Sequence, residues 1–267
     1  MFDLVSNAIG VFDSGFGGVS VLRYAQKQLP KESFIYYGDN LNAPYGCRSE
    51  DEIRSLTLTA CRSLYKRGLK ALLVACNTAT AASIALLKEE FPIPVVGTEP
   101  DILNAEADLA DGMILMMSTE ATTRLPRYLK LREKLIDPAR VVDIPCPVGF
   151  VLKIESGVFA KGSYDELLEQ VLGGFKEKLI SGIELGCTHY PLIQKHINEY
   201  AVKHFKAAPK FYDGGKTAVR NLQMLLAQNN LLNSTGNGSV EFMTSGNMEI
   251  YQPLFKMLLT SPDFDLA

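Results

Sequence analysis

The chain has 267 residues, of which 47% are hydrophobic and 21% charged, and its net charge is −3. This composition is typical of a globular protein with one large or two small domains, and its weak charge gives no sign of nucleic-acid binding. No apolar run approaches the roughly 20 residues of a membrane span, and the N-terminus lacks the pattern of a signal peptide. We therefore expect a cytoplasmic protein that binds neither nucleic acid nor membrane.

Short runs rich in Val, Ile and Leu alternate with longer segments of helical periodicity along the chain. In the segment 49–67, for example, Ile53, Leu56, Ala60 and Leu64 share one helical face. This alternation predicts an α/β fold in which a parallel sheet is flanked by helices. Strands are predicted at 8–12, 34–38, 71–75, 94–97, 113–117, 140–144, 182–186, 210–213 and 239–243.

The first predicted strand ends at Asp13 and leads through a glycine-rich turn into a helix. Gly15 and Gly17 fit the start of a dinucleotide-binding fingerprint, but Ser20 stands where its third glycine belongs. A fixed carboxylate at Asp13 would also repel a pyrophosphate. We therefore expect the glycines to let the backbone approach a small ligand closely.

Two segments, 71–83 and 182–193, repeat one pattern: an apolar strand, a cysteine, a polar residue and a helix. We expect Asn77 or Thr78 to cap the first of these helices and Thr188 to cap the second. Two similar α/β units of this kind would place both cysteines at the carboxyl ends of strands. Open α/β sheets bind their ligands at that edge.

The five cysteines include no C-x-x-C pair, and the three histidines lie 7 and 8 residues apart, so we expect neither a disulfide scaffold nor a metal site. Cys61 and Cys146 fit small buried hydrophobic residues, and Cys47 is also predicted to be inert. Cys76 and Cys187 differ because each stands at a predicted helix N-terminus. The helix dipole is expected to lower the thiol pKa there.

One cysteine with one histidine would suggest acyl transfer through a thioester, but two thiols in matching positions suit another reaction. A thiolate removes a proton from one face of a carbon, and the opposite thiol returns a proton to the other face. The two roles exchange with the enantiomer of the substrate. His189 is expected to assist Cys187 in proton exchange, and Asp13 to assist Cys76.

An amino-acid substrate would bring a carboxylate and an ammonium group to these turns. Helix N-termini with free N–H groups are natural sites for a carboxylate. In the turn 42–46, Tyr45 and Gly46 are placed to close over a ligand. Further hydroxyl and amide partners at the turns are Ser14, Asn77, Thr78 and Thr188.

The motifs "FDSGFGG", "APYG", "ACNTAT", "GTEP" and "LGCTHYP", followed by "YDGGKTAV" and "FMTSG", resemble in order those of the cofactor-independent aspartate/glutamate racemases, and of glutamate racemases in particular. The resemblance runs over nearly the full length. It implies two similar α/β domains, residues 1–98 with 213–267 and residues 99–212, and an active site in the cleft between them. His189 favours glutamate, because the related aspartate racemases carry an acidic residue at this position.

The resemblance implies that Cys76 deprotonates the D-enantiomer and Cys187 the L-enantiomer, with Asp13 and His189 assisting them. Glu155 corresponds to the acidic residue that orients the histidine in this family. The substrate-binding residues that it implies are Asp13, Ser14, Tyr45, Gly46, Asn77, Thr78, Thr188 and His189.

One segment, 118–128, departs from the family pattern, because Leu125 stands where a serine is common. We therefore assign no substrate contact to Thr119 or Thr122.

The expected activity is the interconversion of L- and D-glutamate without cofactor or metal, which in the family supplies D-glutamate for peptidoglycan. The resemblance also implies a homodimer, and the expected partner is the small-molecule substrate, L- or D-glutamate. Two alternatives remain open: a racemase for aspartate or another amino acid, and a non-catalytic nucleotide-binding or regulatory protein that uses the glycine-rich turn.

Overall fold

The computed structural model describes residues 6–264. Every predicted strand is present, with limits within two residues of those expected. Within the described range the strands are β1 (Ile9–Asp13), β2 (Phe34–Gly38), β3 (Ala71–Val74), β4 (Val95–Gly97), β5 (Met113–Ser118), β6 (Val141–Pro145), β7 (Ile180–Leu185), β8 (Lys210–Tyr212) and β9 (Val240–Thr244).

These strands form two parallel sheets that share one strand order. In the first sheet β1 lies between β2 and β3, with β4 beyond β3; in the second, β5 lies between β6 and β7, with β8 beyond β7. β9 extends the first sheet at β2. The α/β fold with two similar units is therefore confirmed, while the domain limits at 98/99 and 212/213 stay a prediction.

Helices follow most of the strands. The helix predicted over 49–67 begins at Glu50, where Ser49 and Glu52 form a reciprocal capping box. In the described part of the chain, no helix combines the length and apolar character needed to cross a bilayer. The helices are α1 (Val19–Gln28), α2 (Glu50–Tyr65), α3 (Asn77–Glu90), α4 (Ile102–Asp108), α5 (Glu120–Arg124), α6 (Pro126–Arg132), α7 (Gly149–Glu155), α8 (Asp165–Leu172), α9 (Gln194–His204), α10 (Gly214–Gln228) and α11 (Met248–Thr260).

The carboxyl ends of the strands carry the chemistry-bearing residues. Asp13 is the last residue of β1, Cys76 follows β3 by two residues, and Cys187 follows β7 by two residues. β1 and β3 are buried at every residue, as expected of parallel strands covered by helices on both faces. The core therefore fixes the strand ends, and the two cysteines occupy equivalent places in the two sheets.

The carboxyl group of Glu184 is buried beside the two segments that connect the sheets. One of these segments follows β4, and the other follows β8. Glu184 of β7 is 0% exposed, and neither of its carboxyl oxygens has a hydrogen-bond partner of normal geometry among the described residues. Burial raises its pKa well above the usual range, and the nearby Asp213 and Asp101 raise it further, although the backbone amides of Asp101 and Gly214 act in the opposite direction. In β3, the position equivalent to Glu184 is occupied by Leu73.

Candidate active site

A narrow cavity lies between the carboxyl ends of the two sheets. Cys76 and Cys187 both line it. Cys76 comes from the first half of the molecule, which contains the first sheet, and Cys187 comes from the second half, which contains the second sheet. Its volume is about 10 Å³, which is room for about one water molecule, so the cleft is closed in this structure. Of the predicted substrate contacts, Asp13 does not line the cavity, whereas the other seven do: Ser14, Tyr45, Gly46, Asn77, Thr78, Thr188 and His189.

Cys76 is itself the N-cap of α3. Its Sγ accepts a hydrogen bond from the backbone N–H of Ala79 at 3.4 Å. The prediction that Asn77 or Thr78 caps this helix was therefore wrong, because the thiol already occupies the capping position. Both residues instead lie in the first turn of α3, where their backbone N–H groups have no partner within the helix.

The environment of Cys76 favours the thiol over the thiolate. Burial raises the pKa of Cys76 to about 12, and the charge of Asp13 raises it as well, while hydrogen bonds with Ser14 and Ala79 act in the opposite direction. The thiol donates to the Ser14 hydroxyl at 3.4 Å. The expected lowering of this pKa was wrong, because desolvation in the closed cleft outweighs the helix N-terminus.

Asp13 lies beneath the cavity and joins the loops of the two halves. Its Oδ1 accepts the N–H of Gly15, and its Oδ2 accepts the hydroxyl of Thr188, each at 3.0 Å. Burial raises the pKa of Asp13, against the opposing charge of His189. The prediction that Thr188 caps a helix was therefore wrong. The side chain that contacts Cys76 is Ser14, and Asp13 acts on that thiol through its charge.

Cys187 is paired with an imidazole that a carboxylate holds. The Nδ1 atom of His189 lies 3.6 Å from the Cys187 sulfur, and Nε2 lies 2.6 Å from Oε1 of Glu155. Burial lowers the pKa of His189, but hydrogen bonds and charges from Cys187 and Glu155 together raise it well above its usual value. Oε1 of Glu155 also accepts the backbone N–H of Phe16, so it acts as an acceptor toward Nε2, which carries a proton, while Nδ1 faces the thiol.

Glu155 also binds the first half of the molecule. Its Oε1 accepts the N–H of Phe16 at 2.6 Å, and its Oε2 accepts the Asn40 amide at 3.1 Å. Thr244 in turn donates to Oδ1 of Asn40 at 2.9 Å. The sequence reasoning missed Asn40, although it follows β2 by two residues, as each cysteine follows its own strand. The strand-end rule, applied to every strand, would have found it.

The glycine-rich turn brings the two halves into contact. A Cβ atom on Gly15 would lie 2.2 Å from Oε1 of Glu155, and one on Gly17 would lie 2.4 Å from Oγ1 of Thr188 and 2.5 Å from Nδ1 of His189. Real side chains do not approach so closely, so this backbone needs glycine. The turn meets side chains of the other half, rather than a nucleotide phosphate.

Three threonine hydroxyls form a second link between the halves. The Oγ1 atoms of Thr78, Thr119 and Thr122 lie 3.0 to 3.1 Å from one another. Thr119, which received no substrate contact from the sequence, lines the cavity and packs against Gly46. Leu125, which departs from the family pattern, is buried in the core.

The remaining cysteines do not line the candidate site. Cys61 and Cys146 are buried and Cys47 is exposed. Cys47 and Cys146 line a neighbouring cavity of about 480 Å³ that shares Gly46 and Thr119 with the candidate site. Within residues 6–264, no group of three His, Cys, Asp or Glu side chains could hold a metal ion.

Comparison with known proteins identifies the class of this site. Residues 18–222 match the model of the Asp/Glu/hydantoin racemase family, and the chain belongs to that family. It is therefore an isomerase, and its resemblance to amino-acid racemases is confirmed.

The similar proteins point to one member of the family. A glutamate racemase of Clostridium acetobutylicum is 41% identical over 242 residues, which are 90% of this chain and 92% of that protein. A glutamate racemase of Clostridium botulinum is 36% identical over 97% of this chain and 99% of that protein. The crystal structure of a Francisella tularensis glutamate racemase in complex with D-glutamate superposes with a TM-score of 0.80 at 29% identity, covering 97% of this chain and 95% of that one.

Proposed function

We propose that the chain interconverts L- and D-glutamate, with Cys76 and Cys187 as the two acid/base groups. The observation that carries this proposal is the placement of two thiols at equivalent strand ends of two similar sheets, where both line one cavity. The activity named for the relatives and the D-glutamate bound to one of them support glutamate as the substrate. His189, rather than an acidic residue, beside Cys187 also favours glutamate over aspartate.

The reaction with L-glutamate begins at Cys187. A protonated His189 stabilises the Cys187 thiolate, which takes the Cα proton, and the Cys76 thiol gives its proton to the opposite face. The product is D-glutamate, and the sulfurs have exchanged roles; the reverse reaction begins at Cys76. Backbone N–H groups in the first turn of α3 donate hydrogen bonds to the substrate carboxylate and stabilise the carbanionic transition state.

Serine substitutions test the two-thiol mechanism. We expect Cys76→Ser and Cys187→Ser each to lose nearly all racemisation, followed by circular dichroism of either enantiomer without added cofactor, because a hydroxyl is a far weaker acid than a thiol. Cys47→Ser is the matched control, since this exposed cysteine is outside the pair. Normal interconversion by either of the first two variants would contradict the mechanism.

We also propose a cytoplasmic homodimer that supplies D-glutamate for peptidoglycan. A compartment that keeps thiols reduced suits a reaction with two free cysteines. The family resemblance supports the dimer. Light scattering tests the dimer, and restored growth of a bacterial strain that lacks its own source of D-glutamate tests the physiological role.

A further inference from the structure

We propose that Asn40 is a positioning residue for the Cys187 side of the site: it holds the Glu155 carboxylate, which keeps the His189 ring against the sulfur, and it does so only while the two halves are closed. This inference rests on the proposed function. It adds a residue that touches neither thiol and that lies in the opposite half of the molecule from Cys187.

The orientation of the Asn40 amide is fixed by its neighbours. The Thr244 hydroxyl accepts the N–H of Gly246 at 3.1 Å and donates its own proton to Oδ1 of Asn40 at 2.9 Å. The amide nitrogen therefore faces Glu155 and donates to Oε2 at 3.1 Å. Asn40 is only 6% exposed, so water does not compete for these bonds.

The Glu155 carboxylate is held by donors from both halves. The first half supplies the N–H of Phe16 and the amide of Asn40, and the second half supplies Nε2 of His189. The Glu155 side chain is 12% exposed and stands at the end of α7. If the cleft opened, Glu155 would lose both donors of the first half, and its carboxylate would turn toward water. The orientation of the imidazole is thus coupled to closure.

The other thiol has no part in this chain of hydrogen bonds. Cys76 bonds to Ser14 and to the N–H of Ala79, both in the first half. Loss of the Asn40 amide is therefore expected to slow proton transfer at Cys187 and to spare Cys76. Overall racemisation cannot show this difference, because both thiols act in each turnover and the equilibrium constant ties the two directions together.

A reaction that needs one base separates the two sides. With 3-chloroglutamate, a thiolate takes the Cα proton and chloride leaves Cβ with its bonding electrons. The resulting enamine tautomerises to the imine, which water hydrolyses to 2-oxoglutarate and ammonium. In the proposed mechanism the L-enantiomer reports on Cys187 and the D-enantiomer on Cys76. Cys187→Ser and Cys76→Ser calibrate this assignment.

Asn40→Leu removes the donor at nearly constant size, and Asn40→Asp places a carboxylate against Glu155. We expect either variant to lower elimination from the L-enantiomer by about tenfold or more, as for a lost bond to a charged group, and elimination from the D-enantiomer by less than about twofold. The control is Asn229→Leu, which makes the same change at an exposed helix end and should alter neither rate. If Asn40→Leu does not fold, Asn40→Asp and Thr244→Val carry the test, with the loss again confined to the L-enantiomer.

Equal losses with both enantiomers, or no loss with either, would overturn the assignment of Asn40 while leaving the two-thiol mechanism in place. If Cys187→Ser instead kept its elimination from the L-enantiomer, the proposed function itself would fail, and the role of Asn40 with it.

Discussion

The loops after β3 and β7 occupy equivalent positions in two similar sheets, yet they support their thiols differently. Cys76 has a neutral hydroxyl and a backbone N–H as partners, whereas Cys187 faces an imidazole backed by a carboxylate. The two thiols are thus expected to act on opposite faces of the same carbon, although their surroundings differ. Repetition of a fold gives two groups the same position, and local side chains still decide their acidity.

This inequality sets the resting state of the closed cleft. The raised pKa of Cys76, to about 12, keeps it a thiol at neutral pH, and the upward shift in the pKa of His189 favours an imidazolium beside Cys187. In the proposed mechanism the molecule at rest is therefore prepared for L-glutamate. After one turnover to D-glutamate, protons must return to this arrangement before the next L-glutamate reacts.

The largest expected effect comes from making the Cys187 side resemble the Cys76 side. His189→Asn leaves Cys187 with a neutral partner, so we expect elimination from L-3-chloroglutamate to fall by about 10²-fold or more. Elimination from the D-enantiomer should change much less. His196→Asn, on α9 outside the cavity, is the control. A similar loss with both enantiomers would remove the distinction between the two sides.

The pH dependence of alkylation tests the Cys76 side directly. In the Cys187→Ser variant, the rate at which iodoacetamide modifies Cys76 should rise about tenfold per pH unit between roughly pH 7 and 9, because the thiolate fraction does so below a pKa of about 12. Peptide mass spectrometry separates this site from the exposed Cys47, which serves as internal reference. A rate at Cys76 that is independent of pH in this range would contradict the raised pKa.

A smaller effect is expected from the neutral partner of Cys76. Ser14→Ala removes one hydrogen bond of about 1 kcal/mol, so elimination from the D-enantiomer should fall about fivefold. The L-enantiomer, measured on the same protein, is the reference, and the rate with the D-enantiomer should fall about fivefold relative to it, because any lost contact of Ser14 with the substrate affects both enantiomers. A loss as large as that of His189→Asn would show that the two sides are supported equally.

The smallest effect concerns stability and a difference between β3 and β7. Glu184→Leu gives β7 the residue type that β3 has at Leu73, and Glu184→Gln, which keeps the shape and cannot ionise, is the matched variant. Since the folded-state pKa of Glu184 lies above its unfolded value, the folded state binds more protons, and stability falls as the pH rises above about 4.3.

Both Glu184 variants lose this pH dependence. The quantity to compare is the free energy of unfolding of each variant minus that of the parent chain, measured by urea denaturation. We expect this difference to be more favourable to the variant at pH 8 than at pH 4 by on the order of 1 kcal/mol. The elimination rates should be unchanged, because Glu184 does not line the cavity. A difference between variant and parent that is the same at both pH values would contradict a buried, protonated carboxyl group.

Much of the fold could be predicted because parallel strands buried on both faces leave short apolar runs in the sequence. The same reasoning placed Cys76 and Cys187 at strand ends, and the glutamate racemase motifs supplied the partner of His189. The helix cap and the acidity of Cys76 could not be predicted, because both depend on how tightly the closed cleft packs. The strand-end rule would have found the position of Asn40, but its role could not be predicted, because its partner, Glu155, lies 115 residues away in the other half.

The ring of three threonine hydroxyls has a property that follows from its geometry. Each oxygen carries one proton, so around the ring every hydroxyl donates to one neighbour and accepts from the other, in either of two opposite senses. A ligand carboxylate that accepted a hydrogen bond from the Thr119 hydroxyl, which lines the cavity, would open the ring, and the hydroxyl protons of Thr78 and Thr122 would then reorient. This wall of the cavity therefore has no fixed polarity of its own, and its hydroxyl protons can reorient to suit the ligand that binds.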